Sequence, residues 1–470
     1  MNTAVSLAPR LAITRLKSRD GGAVLDVLAV LAFTVSTWLA LTVAGGTWMF
    51  RNRAAAHTAS GEWGAMSQVA ELEVQLALVA CGLLVVPILG LGGAAARLGA
   101  RGRSRRLASL RLLGMTGTDV VSMSLVETLI QAAAGIAAGS AIYLASLPAW
   151  QLVSFQGRNI VAGEMLVPWW LGLAVGATVL VLAGLSTVIG LQRVRISPLG
   201  VSRNETPRKL HMWRLGVLVV AAIAFFFVVQ AMDLRASHLM GFVIVGGLLA
   251  GVVGAINLVG PFVLQFVALP FTRTGRVPQL LAMRRITDDP RAAWRNVSAV
   301  ALIALIAAFF STVPDFITGG QPSADPWENA DYVMGRDIRT GIFITLIIGL
   351  VLVAVQVLIT QASGVFDRAS ESVAMDRMGM PRSYFSATRR AQVLMPLVVT
   401  LVIATTAGLM LALPFFMNPG LAELGIGPTA AGLAQLGVVA GIGIVLTFLA
   451  AEACRPLQAR VLGEQRREND

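Results

Sequence analysis

Apolar residues along this chain come in long unbroken blocks, not with the spacing of a surface helix or the alternation of a half-buried strand. Blocks at 23–49, 74–96, 120–147, 167–191, 215–232, 239–268, 297–313, 342–360, 393–417 and 432–451 are each on the scale needed to cross about 30 Å of hydrocarbon as a helix. The polar stretches between them are short, and the longest at 50–73, 148–168 and 314–339 are smaller than an independent domain requires. This pattern predicts an all-α polytopic membrane protein of about ten transmembrane helices, with those three stretches as external loops. Composition agrees: 56% of the 470 residues are hydrophobic and 13% charged, and the mean hydropathy is +0.75. The first block follows a basic segment, as in a signal peptide, but its length and the spans after it predict a retained helix.

Charge then orients the chain. If both termini are cytoplasmic, 31 of the 37 basic residues fall in cytoplasmic segments, and Arg51, Arg53, Arg158, Arg235, Arg336 and Arg339 fall outside. The inverted topology would place that excess on the wrong face. The net charge of +12 is accounted for by these loop anchors against anionic lipid, so no nucleic-acid partner is expected. Cys81 in a span and Cys454 at a cytoplasmic helix end lie at different depths and are not expected to pair. The three histidines, His57, His211 and His238, are scattered, so no metal site or histidine-based triad is expected.

A basic segment after the second block, 101–115, reads RGRSRRLASLRLLGM; it returns after the eighth block, at 367–380, as DRASESVAMDRMGM. Both copies end in Arg, one or two apolar residues, Gly and Met. Residues 11–20, before the first span, similarly parallel 281–290 before the seventh, at an offset of 270, and the offset at Gly114 and Gly379 is 265. The chain therefore reads as a duplication: a first unit at 1–200 with an elbow helix and spans one to four, a linker and two-helix spacer at 201–272, and a second unit at 273–470 with an elbow helix, spans seven to ten and a basic tail. An even spacer keeps the two units parallel.

The recurring segment, with the Arg-x-Arg-Ile-Ser-Pro exit at 193–198, resembles the FtsX-like permeases of ABC transporters, in which a short cytoplasmic helix lies between the second and third spans of a four-span unit. The span count is similar to that of bacitracin-resistance permeases, whereas the large external domain of such relatives has no counterpart here. The resemblance implies a non-catalytic permease subunit in a bacterial cell membrane. It further implies two copies of a cytoplasmic ATPase as partners, with ATP and magnesium bound there, since no Walker A motif occurs in this chain. The implied action is export, or outer-leaflet extraction, of an amphipathic compound or antimicrobial peptide. The alternative is a signalling subunit that relays ATPase state to a sensor kinase or cell-wall enzyme; a proton-coupled carrier ranks third, because ionisable residues at midplane are scarce.

On this reading, the ATPase-coupling helices carry Arg106, Leu107, Leu110, Arg111, Leu113, Gly114 and Met115 in the first unit. In the second they carry Glu371, Met375, Arg377, Met378, Gly379 and Met380, with Val373 in the same apolar patch. Methionine adapts to irregular grooves, and the two glycines suit helix stops with positive φ. Within the spans, Glu127, its expected equivalent Gln392 at the 265 offset, and Asp26 are the polar candidates. Glu127 and Gln392 are expected to serve interhelical hydrogen bonding, and Asp26 to pair with a basic residue of the elbow. Acidic residues clustered at 315–337 are expected to be solvated, with attraction of a cationic peptide as the alternative.

Overall fold

A computed structural model describes residues 21–59, 64–102, 116–196, 213–231, 239–311, 322–367, 369–417, 430–454 and 456–457. Its helices are α1 (Gly21–Ala59), α2 (Ala65–Gly102), α3 (Gly117–Ser146), α4 (Trp169–Ile196), α5 (Trp213–Ala231), α6 (Leu239–Ala268), α7 (Val277–Asp288), α8 (Pro290–Phe310), α9 (Pro326–Asp367), α10 (Ala369–Arg377), α11 (Arg382–Met417) and α12 (Ala430–Ala453). Among the described residues, nine helices are long and apolar enough to cross a membrane, and the remaining expected span, 74–96, lies within the continuous helix α2. The chain is an all-α polytopic membrane protein.

Local chemistry sets several helix starts. Asp325 caps α9 by accepting from the Trp327 and Glu328 amides at 2.8 and 3.3 Å, with Pro326 at the first helical position. Asp289 does the same for α8, accepting from Ala292 N at 2.9 Å ahead of Pro290. At α3, Thr116 and Asp119 form a capping box.

Two of the three expected external loops are largely helix. Helix α1 runs on to Ala59 and α2 starts at Ala65, while α9 starts at Pro326, well inside the expected loop at 314–339. Charged residues such as Arg53, Glu73, Glu328 and Asp337 ended the apolar blocks there, but they do not end a helix whose caps lie elsewhere. The extensions pack on each other: Ala65 and Val69 of α2 meet Ala330 and Met334 of α9 beyond the apolar core. At 42 residues, α9 is about 63 Å long at 1.5 Å per residue, twice the hydrocarbon thickness.

In the first half α1 packs on α2 and α3, and in the second α8 packs on α11 and α9. The halves meet where α9 contacts α2 and α1. Ile348, Leu352 and Ile359 of α9 share an apolar core with Leu25, Phe33 and Leu91 of the first half.

One close crossing occurs twice. A Cβ on Gly139 of α3 would stand 2.5 Å from Thr34 O, 2.8 Å from Thr37 Cβ and 3.1 Å from Trp38 N of α1. A Cβ on Gly408 of α11 would stand at the same three distances from Leu305 O, Ala308 Cβ and Phe309 N of α8. The partners differ in number by 271 and the glycines by 269, close to the 270 between the elbow segments. Registering α3 and α11 on these glycines sets Glu127 against Pro396, and Gln392 against Met123. The equivalence expected between Glu127 and Gln392 is thereby displaced by one turn: the 265 offset includes loop deletions that do not apply inside the helices.

Candidate functional site

The C-terminal end of α9 is followed by α10, which carries the second recurring segment. Gly379 adopts φ +83°, and the α10 terminus closes as a Schellman motif. Met380 N donates to Met375 O at 3.1 Å and Gly379 N to Asp376 O at 3.0 Å. Side chains at positive φ are strained, so glycine fits where the chain turns towards α11. Met378 is 76% exposed, Arg377 is exposed, and Met375 and Met380 are half-buried. Val373 is buried, which removes it from the apolar surface expected for docking. Glu371 accepts from Arg285 Nη2 at 2.7 Å, and so ties α10 to the elbow helix α7. Elbow helix α7 turns Ala282, Met283 and Ile286 inward and packs on α11. The first copy, with Arg106, Leu107, Leu110, Arg111, Leu113, Gly114 and Met115, lies outside the described residues.

Within the bundle, Glu127 and Asp26 are buried and Gln392 is half-buried. Asp26 accepts from Gln131 Nε2 at 3.0 Å; Gln131 stands one turn from Glu127, so α1 and α3 share a polar contact where the sequence placed Asp26 against the elbow, at 11–20, outside the described residues. Asn257 accepts from Trp294 Nε1 at 3.0 Å, an interhelical hydrogen bond of the expected kind.

The polar site that sequence reasoning missed lies towards the opposite end of α9. Between α3 and α4 the chain forms a strap: a 3-10 turn at Leu147–Leu152, then a two-residue hairpin pairing Ser154 with Asn159 and Phe155 with Arg158. Gln156 and Gly157 at its tip have φ +56° and +74°, as a tight hairpin of this twist requires. A glutamine there is strained, and the surroundings compensate. Its backbone N–H donates to Asp337 Oδ2 of α9, and its Nε2 donates to Glu73 Oε2 of α2 at 2.7 Å. One residue of the strap thus joins the two halves.

Arg53, 2% exposed, holds the strap from α1. Its guanidinium donates to Phe155 O at 2.8 Å and to Glu164, which also meets Arg158 at 3.0 Å. Burial opposes ionisation of Glu164, but Arg53, the Val161 amide and Arg158 outweigh it and hold its carboxyl below the ordinary range. Tyr143 donates to Met165 O and accepts from Val167 N at 3.2 Å, while Trp48 and Trp170 meet edge to face at 5.7 Å.

Glu73 and Asp337 are 5% and 2% exposed and touch each other. Glu73 lies just outside the apolar block of α2, and burial, then the Asp337 charge, push its carboxyl up to about 8. Below them is a cavity of about 210 Å³ walled by Val43, Leu76, Leu84, Ile338 and Ile344 from α1, α2 and α9, with Cys81 on its lining.

Fold and site define a helical membrane protein whose long α9 runs from a glycine-capped short helix at one end to a polar clasp towards the other. Residues 77–199, from within α2 past the end of α4, match the family model described as FtsX-like permease C-terminal, so over this part the chain is similar to FtsX-like permeases. That family comprises the membrane permease subunits of ABC transporters, which normally partner a cytoplasmic ATPase. No curated protein matches the chain.

Proposed function

We propose that the chain carries two permease units in one polypeptide, which couple ATP hydrolysis by two cytoplasmic ATPase subunits to outward movement of an amphipathic compound. The observation that carries this reading is the continuity of α9. A single helix runs from the residue pair before α10, the segment we assign to ATPase contact, to Asp337 at the clasp between the halves. A packed helix moves as a unit, so displacement at the Asp367 end of α9 is carried to Asp337 within one helix. The Arg285–Glu371 ion pair draws the elbow helix along. The twice-made glycine crossing supports two units of one origin, and the family match covers most of spans two to four of the first.

Exposed Met378 is the side chain we assign to ATPase docking. Met378→Asp places a carboxylate in an apolar contact, with a desolvation penalty of several kcal/mol. The variant is expected to reach the membrane at normal levels and to lose co-purification with the ATPase. Unchanged co-purification would remove α10 from the coupling surface.

A further inference from the structure

We propose that the cavity under the clasp is a binding site for a lipophilic monocation, an alkylammonium-type amphiphile whose charged head meets Glu73 and whose tail lies along α2. The permease reading enters only in making this the transported class; binding itself does not depend on it.

The ion pairs at the cavity mouth leave Glu73 without a salt bridge among the described residues. Arg53 is committed to Glu164 and to strap carbonyls, and exposed Arg158 also faces Glu164. Arg336 Nε stands 3.6 Å from Asp337 Oδ1. Glu73 remains. Its Oε2 accepts from Gln156, whereas Oε1 is buried and meets no donor. Its neighbour Asp337 is another acceptor, so whatever satisfies that oxygen must donate: a proton shared between the carboxyls, a water or a ligand cation. A primary ammonium brings one positive charge and three N–H donors, and on binding would release the proton to water. A neutral alcohol brings no charge against the Asp337 repulsion.

The walls suit the rest of such a molecule. Cys81 lies eight residues further along α2 than Glu73, about 12 Å deeper at 1.5 Å per residue, and both line the same cavity. A volume of about 210 Å³ is below the range of drug-sized sites and matches a single alkyl chain. Peptides do not fit it. Trp150, Phe155 and Ile160 of the strap line the cavity as well.

Cys81 supplies the readout. In the full chain with Cys454→Ala, in phosphatidylcholine nanodiscs at pH 7, n-decylamine is expected to slow alkylation of Cys81 by N-ethylmaleimide at least about five-fold, which corresponds to ~1 kcal/mol of selective occupancy, while n-decanol slows it far less. Glu73→Gln should remove the difference between amine and alcohol, and Glu73→Asp should keep it, which separates charge from folding. Equal protection by the two compounds, or amine protection that survives Glu73→Gln, would overturn the site. No ATPase is present, so that failure would leave the permease reading standing; loss of the Met378 effect would leave the site standing.

Discussion

Adding one methyl group at Gly139 or at Gly408 tests whether the two halves are built alike. Alanine at Gly139 would put Cβ 2.5 Å from Thr34 O and 2.8 Å from Thr37 Cβ. Carbon contacts are comfortable at about 3.5–4.0 Å, so α3 and α1 must part by about 1 Å. The obstructing atoms include main-chain oxygen and nitrogen, which no rotamer change can move aside, and the cost belongs in the upper part of the ~1–3 kcal/mol typical of overpacking. Alanine regains about 1 kcal/mol of helix propensity, leaving a net destabilisation of about 1–2 kcal/mol. The same distances at Gly408 predict the same loss there. Gly437→Ala is the control, because a Cβ at that position meets nothing within 4 Å, and it should be neutral or slightly stabilising. Unfolding midpoints of the purified variants in one detergent give the comparison. A loss at one crossing only, or a control as damaging as the two variants, would refute the equivalence.

Stability should also fall as pH rises from 5 to 8. Glu73 keeps its proton in the folded protein up to about 8 but has an ordinary value of 4.5. Its contribution is therefore fully present below 4.5 and declines by up to about 1.4 kcal/mol per pH unit until about pH 8. The groups facing it are Asp337 of α9, itself beside Arg336, Gln156 of the strap and Arg53 of α1, and Glu73→Gln should flatten the decline in thermal midpoint; an unchanged slope would place the titration elsewhere. Glu127→Gln should keep most transport, since an amide can replace the carboxyl in a bundle contact and membrane hydrogen bonds average only about 0.6 kcal/mol. Abolished transport with normal assembly would instead make Glu127 part of the translocation path.

The spans were legible because a bilayer demands long apolar blocks, and each of the ten expected blocks coincides with a helix. What failed was the treatment of charge as a boundary. Arg53 and Asp337 were assigned to loops, yet both are nearly fully buried at helix ends that project beyond the hydrocarbon. Their partners Glu164 and Gln156 are more than a hundred residues away, and no local pattern announces such a pairing. A signal did exist: six basic residues stood on the side the positive-inside rule disfavours, and Arg53, Arg158 and Arg336 among them are held by carboxylates. Gly379 was readable for the opposite reason, since a helix that ends Arg-Met-Gly-Met closes through its own backbone. Gln392 was mispaired because an offset taken across loops was applied inside a helix.

Transmission from α10 to the clasp is tested most directly by the distance between spin labels at Gln68 of α2 and Asp331 of α9, both exposed on the helix extensions beyond the clasp. Measured in the complex with the partner ATPase, this distance should change between the nucleotide-free and ATP-bound states and return after hydrolysis. Met378→Asp should abolish the change. A distance that stays constant while the bound ATPase turns over ATP would contradict the coupling role of α9.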